Sequence, residues 1–91
     1  MKDVVTLADL PPLGDRTSIF RFAMRFNGYE HYGSFETCAE AARMKRRETL
    51  GDLRNELFFS ARASRHRDDD GFVADYAELH PHFVRLIEAS R

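Results

Sequence analysis

The stretch SIFRFAMRFNGYEHYG, residues 18–33, decides how the rest of the chain is read. From Ser18 onward apolar and other side chains alternate: Phe20, Phe22, Met24 and Phe26 fall on one face of an extended chain, and Ile19, Arg21, Ala23 and Arg25 on the other. A period of two is the signature of a half-buried strand. Asn27-Gly28 follows, and this pair accepts the positive backbone angles of a two-residue type I′ turn. The turn would set Phe26 against Tyr29, Arg25 against Glu30, Met24 against His31 and Ala23 against Tyr32. Opposite charges then meet at Arg25 and Glu30 on the outer face. The spacing predicts a β-hairpin over about residues 17–33.

Beyond Gly33 the period changes to three and four. Ser34 offers a cap to a helix over about 34–47 with Phe35, Cys38, Ala39 and Ala42 on its inner face. Acidic residues open that helix and Arg43, Lys45, Arg46 and Arg47 close it, as the helix dipole favours. Thr49 with Asp52 has the form of a capping box for a second helix over about 50–66, striped by Leu50, Leu53, Leu57, Ala61 and Ser64 with Phe58 at the edge. The run Asp68, Asp69, Asp70, Gly71 breaks the pattern and caps a third helix over about 70–89, with stripe Phe72, Tyr76, Leu79, Phe83, Leu86 and Ile87. Pro81 interrupts it while the stripe stays in phase, which predicts a kink or two abutting helices sharing one direction. Upstream, residues 1–16 hold Pro11, Pro12 and Gly14 without sustained periodicity, the composition of an extended or flexible arm. The expected whole is an N-terminal arm, 1–16, and one α+β domain, 17–91, in the order ββααα.

A chain of 91 residues has room for one core, and eight Phe and three Tyr within 43% apolar residues can fill it. The apolar stretch from Val4 to Leu13 is broken by Asp9 and two prolines, so no secretory leader is expected, and no apolar run approaches membrane-spanning length. A single cysteine, Cys38, builds no intrachain disulfide and suits a reducing cytoplasm. Twelve Arg against two Lys is the bias of a GC-rich bacterial genome. Net charge is −1, yet residues 34–67 carry eight basic against five acidic side chains and residues 68–91 two against six. A near-neutral whole exerts little long-range pull on nucleic acid.

Chemistry-bearing constellations are sparse. Asp75, Glu78 and His82 share a helix side, but no established metal-ligand motif accompanies them, and no metal site is assigned. His31 and Cys38 form the one pair with nucleophilic potential, lacking an orienting third group, so no catalytic residue is assigned either. The glycines are scattered singly, which provides no phosphate cradle and no cofactor site. The informative feature is on the second helix, where Phe59, with Asn55, Arg62 and His66, lies opposite the leucine stripe. Phe59, Arg62 and His66 are therefore the candidate partner-contact stripe, set against the alternative that this helix is a middle layer buried on both sides. Arg43, Lys45, Arg46, Arg47, Arg62, Arg65 and Arg67, with His66, are candidate anion contacts.

These residues suggest a small non-enzymatic, self-associating protein-protein interaction or regulatory module whose partner is another protein or a second copy of itself; a lone hairpin leaves two open edges, to be paired by a second copy or by the N-terminal arm. The alternatives are a nucleic-acid-binding module gripping phosphates with the Arg-rich helix ends, and a small-molecule binder or accessory subunit of an enzyme.

Overall fold

The computed structural model describes residues 5–25, 39–40 and 42–90. Among them are a short 3-10 turn, Leu7–Asp9, and three α-helices, α1 (Arg16–Arg25), α2 (Leu50–Arg67) and α3 (Gly71–Ala89). They contain no strand. The described residues are all-helical, which overturns the α+β expectation: residues 18–25, read as the first strand of a hairpin, belong to α1. Phe26, the Asn27-Gly28 turn, the second strand to Gly33 and the Arg25–Glu30 pairing lie outside the described residues.

The reason is visible on a helical wheel. As a strand, residues 18–26 would turn Ile19 and Ala23 outward beside Arg21 and Arg25. As a helix they gather Phe22, Ile19, Ala23, Phe20 and Met24 into one arc of about 200°, leaving Thr17, Arg21, Arg25 and Ser18 on the other side. Ile19, Phe22 and Ala23 are buried, and Phe20 and Met24 half-buried at the edge of the arc. Local chemistry starts the helix as well. Asp15 accepts hydrogen bonds from the Ser18 backbone N–H at 3.1 Å and from the Ser18 hydroxyl at 2.8 Å. These two bonds hold its carboxyl below the usual range, and an aspartate in this role is a standard helix cap.

Helices α2 and α3 run antiparallel. The Phe72 N–H donates to the Ser64 hydroxyl at 3.3 Å, and Ser60 donates to Asp75 further from the turn, so partners pair off in opposing order. The capping box at Thr49 is formed in full: the Asp52 N–H donates to Thr49 Oγ1 at 3.1 Å, and the Thr49 N–H to Asp52 Oδ2 at 3.0 Å. Asp68 turns the chain in the left-handed region at φ 53°, which Asp tolerates better than most residues. Asp69 then accepts from the Gly71 N–H at 3.0 Å, and Asp70 pairs with Arg16 of α1. The acidic run thus closes the turn and attaches it to α1.

Helix α3 passes through Pro81 as one element, not as two abutting helices. Pro81 and Ala77, whose carbonyl loses its donor, both sit on the exposed side, where water can supply the missing bond. The expected 34–47 helix is helical at 39–40 and 42–43 and stops there, its opening residues lying outside those described. Lys45 adopts φ 52° and its N–H closes onto the Ala42 carbonyl at 3.0 Å, releasing Arg46 and Arg47 from helical geometry.

The core lies where the three helices meet. Leu53, Leu57 and Ala61 of α2, Phe72, Tyr76, Leu79, Phe83 and Ile87 of α3, and Ile19, Phe22 and Ala23 of α1 are all buried. Phe22 meets Phe83 edge-on at 5.6 Å and Tyr76 at 6.3 Å, separations favourable for T-shaped rings. The segment before α1 also reaches this core. Val5 is buried, and the Tyr76 hydroxyl donates to the Pro11 carbonyl at 2.6 Å. Gly14, at φ +83°, then allows the Pro12-to-Asp15 turn, closed by a 3.2 Å bond, that brings the chain to α1.

Two tests follow from this packing. Asp15→Ala should cost about 1 kcal/mol through loss of the α1 cap, measured by denaturant unfolding; a neutral result would mean that the segment does not begin a helix at Asp15. Burial pushes the Tyr76 phenol up to about 12 from an ordinary 10. Below pH 10 the phenol is neutral in both states and its effect is constant. As pH rises from 10 toward 12 the unfolded chain ionises first, so stability falls. Thermal melts across that window should fall less steeply for Tyr76→Phe, which at neutral pH should cost about 1 kcal/mol for the lost bond to Pro11.

Candidate functional site

Among the described residues, charged side chains gather at two places that differ in kind. The first is centred on Arg47, just before α2. Its guanidinium donates to both oxygens of Glu56 on α2, at 3.0 and 2.7 Å, and to Glu78 on α3 at 2.7 Å. The Arg47 and Glu56 side chains are only 17% and 12% exposed. Lys45 approaches Glu78 at 3.9 Å, and Arg85 of α3 donates to the Arg47 carbonyl at 3.3 Å. A bidentate pair this sheltered is satisfied by the fold itself, tying the linker to both long helices.

The second place is a cleft of about 370 Å³ between α1 and the C-terminal half of α2. Its lining is Met24 from α1 with Phe58, Arg62, Arg65 and His66 from α2. Met24 and Phe58 supply an apolar floor; two guanidinium groups and an imidazole supply the polar groups. Arg62, Arg65 and His66 are exposed, whereas Phe58 is 5% exposed and meets Phe59 edge-on at 5.4 Å. Arg65 is placed by stacking: its guanidinium lies 5.8 Å from the centre of the Phe20 ring, Phe20 packs edge-on against Phe72 at 5.7 Å, and Arg16 lies 5.6 Å from the centre of Phe72. The ladder links an α1 aromatic to an α3 aromatic and carries an arginine at each end, each contact of a cation–π or edge-to-face type.

The sequence-derived contact stripe is divided by this geometry. Arg62 and His66 line the cleft together, while Phe59 is half-buried and not part of the lining. Asn55, at the other end of the stripe, is fully buried, so the side of α2 opposite its leucines goes from covered to open along its length. The anion-contact set also separates. Arg62 and Arg65 share the cleft; Arg67 pairs with Asp69 at 2.9 Å; Arg43 approaches Glu40 at 4.0 Å; Arg46 contacts the Met44 sulfur at 3.8 Å; Lys45 and Arg47 belong to the first cluster. Met24, in the cleft lining, and Phe20, under Arg65, are the positions of this candidate site missed from sequence, because alternation assigned them to a strand face. The Asp15 cap together with Ile19, Phe22 and Ala23 at spacings of three and four was the signal that could have found them.

The acidic-histidine grouping comes apart too. Asp75 accepts from Ser60, Glu78 faces Arg47 and Lys45, and His82 Nδ1 lies 3.2 Å from Arg85. Among the described residues no three His, Cys, Asp or Glu side chains gather at a point that would hold a metal ion, and no helix is long and apolar enough to cross a membrane. His31 and Cys38 lie outside the described residues.

The Arg47 cluster has a pH signature. Hydrogen bonding to Arg47 holds the Glu78 carboxyl below its ordinary 4.5. Its contribution to stability is therefore complete above pH 4.5 and is lost as pH falls through the lower, folded-state value. Acid titration followed by circular dichroism should show a shallower loss for Glu78→Gln than for the unsubstituted chain. Arg47→Met, which leaves the sheltered Glu56 without its guanidinium, should cost about 3 kcal/mol at neutral pH. Compared with protein-family models, with curated proteins and with solved structures, the chain matches none, so what it does has to be argued from the cleft.

Proposed function

We propose that this chain is a protein-protein interaction module whose contact face is the cleft between α1 and α2. The observation that carries the reading is the make-up of that cleft: Met24 and Phe58 below Arg62, Arg65 and His66. Aromatic residues, Met and Arg are the side chains that interfaces favour over the rest of a protein surface, and an apolar floor with a polar rim is how interfaces are built. Among the described residues the lining sets one imidazole beside two guanidinium groups over an apolar floor, a composition suited to holding a ligand. Self-pairing through strand edges loses its ground where residues 16–25 are helical. The cleft is the contact surface in its place.

A photo-crosslinking amino acid at position 66 in the full chain, expressed in cells, tests the assignment. The expected result is discrete adducts that protease removes and nuclease leaves intact, with none from a matched probe at exposed Ala89. Nuclease-sensitive adducts, or identical products from both positions, would overturn it.

A further inference from the structure

We infer that His82 and Arg85 of α3 form a proton-operated clamp on the segment that leads into α2, shut while His82 is neutral and opened when its imidazole takes up a proton. This device stands apart from the cleft and is built from contacts at the Arg47 cluster. One nitrogen of the Arg85 guanidinium, Nη2, lies 3.3 Å from the Arg47 carbonyl and 3.2 Å from His82 Nδ1. That nitrogen carries two hydrogens, one for each acceptor. A guanidinium only donates, so Nδ1 accepts, and His82 is the neutral tautomer with its proton on Nε2. The clamp acts on a single peptide group. Its carbonyl, that of Arg47, accepts from Arg85, and its N–H, that of Glu48, donates to Asp52 Oδ2 at 3.0 Å. Helix α3 thus holds one edge of the 47–48 peptide and α2 the other.

Among the described residues the charged groups at this cluster are Glu78 on the same helix, Lys45 and Arg47 on the segment before α2, and Asp52 and Glu56 on α2. Protonation of His82 changes the balance between them in three ways. Nδ1 gains a hydrogen and stops accepting, so its bond from Arg85 is lost. The imidazolium then stands beside a guanidinium, and like charges at that distance repel. Glu78 lies one turn before His82 on α3, a spacing at which opposite charges attract. It already receives Arg47 at 2.7 Å and Lys45 at 3.9 Å, so the imidazolium competes with both for one carboxylate. Arg85 is a long, exposed side chain. Without the imidazole to hold it, keeping it over the Arg47 carbonyl costs rotamer entropy, and the carbonyl turns to water instead. Histidine is the side chain that changes charge between about pH 5 and 8. Through that window Glu78 stays ionised, since hydrogen bonding to Arg47 holds its carboxyl below the ordinary 4.5. A response there belongs to an imidazole and is distinct from the acid loss at Glu78.

The Glu48 amide of the full chain reports on the clamp by NMR. Its protection from hydrogen exchange, corrected for the intrinsic dependence of exchange on pH, should fall by about threefold or more between about pH 7.5 and 5.5, the loss expected for one net hydrogen bond. In His82→Gln, whose side-chain carbonyl accepts from Arg85 at any pH, protection should stay at its high value across the window. In Arg85→Ala it should stay at its low value. The other three histidines, replaced by glutamine one at a time, should leave the fall as it is in the unsubstituted chain. The nitrogen chemical shifts of the imidazoles give a reading that needs no substitution: at about pH 7.5 His82 should be the Nε2–H tautomer. Thermal melts at that pH establish that the variants fold; should one fail, the tautomer and the Glu48 protection of the unsubstituted chain decide. The opposite tautomer, Glu48 protection that does not change across the window, or a fall that persists in His82→Gln or in Arg85→Ala would overturn the inference.

Discussion

The apolar stripe of α3 is the constraint to which the rest of the molecule answers. Phe72, Tyr76, Leu79, Phe83 and Ile87 are each at most 3% exposed, and burial of one such side chain is worth about 1.5–3 kcal/mol. One helix cannot cover a stripe of this breadth. Helix α2, joined to α3 by the three-residue turn at 68–70, covers part of it with Leu53, Leu57 and Ala61, and α1 covers more with Ile19, Phe22 and Ala23. The aromatic rings lock the arrangement, since Phe22 touches both Tyr76 and Phe83. A strand at 18–26 would have brought only every second side chain to this surface and left Ile19 and Ala23 in water.

Polar groups then attach the irregular segments to the helical frame. Tyr76, itself part of the stripe, anchors the chain before α1 through the Pro11 carbonyl, and Arg47 anchors the chain before α2 through two carboxylates on different helices. Both anchors use a side chain sheltered from water to hold backbone that has no ladder of its own. Their strengths respond to pH in opposite directions, the phenol weakening the fold in alkali and the Glu78 carboxylate weakening it in acid. Neutral pH is where both are satisfied.

The proposed contact face is a consequence of the same packing. Because α1 crosses near the C-terminal half of α2, Met24 is brought beside Phe58, and Phe20 beneath Arg65. The basic end of α2 would favour its own helix dipole wherever α1 lay. What gives that end the make-up of the proposed contact face is Met24, which α1 sets beside Phe58. The acidic turn at 68–70 follows that helix end for an equally structural reason: Asp68 closes α2, Asp69 accepts the first N–H of α3, and Asp70 holds Arg16.

The amino-acid sequence by itself determined α2 and α3 almost to the residue. Their signals are local and of a single kind: the Thr49–Asp52 capping box, leucines at spacings of three and four, the acidic turn, and a stripe that keeps its phase through Pro81. Residues 18–25 are different, because they carry two periods at once. Phe20, Phe22 and Met24 alternate, while Ile19, Phe22 and Ala23 repeat at three and four, and hydrophobic pattern alone does not choose between them. The Asp15 cap favours the helix, and the Asn27-Gly28 pair favours a hairpin. Tertiary structure decided it, since only a helix delivers five apolar side chains to the flank that α3 and α2 leave uncovered. The same holds for the charges: sequence placed Arg47 and Arg65 in one basic set, and packing separated them, seating Arg47 against Glu56 and Glu78 and leaving Arg65 at the rim of an open cleft. Residue type is local, but whether an arginine finds a carboxylate within its own fold depends on which helices lie beside it.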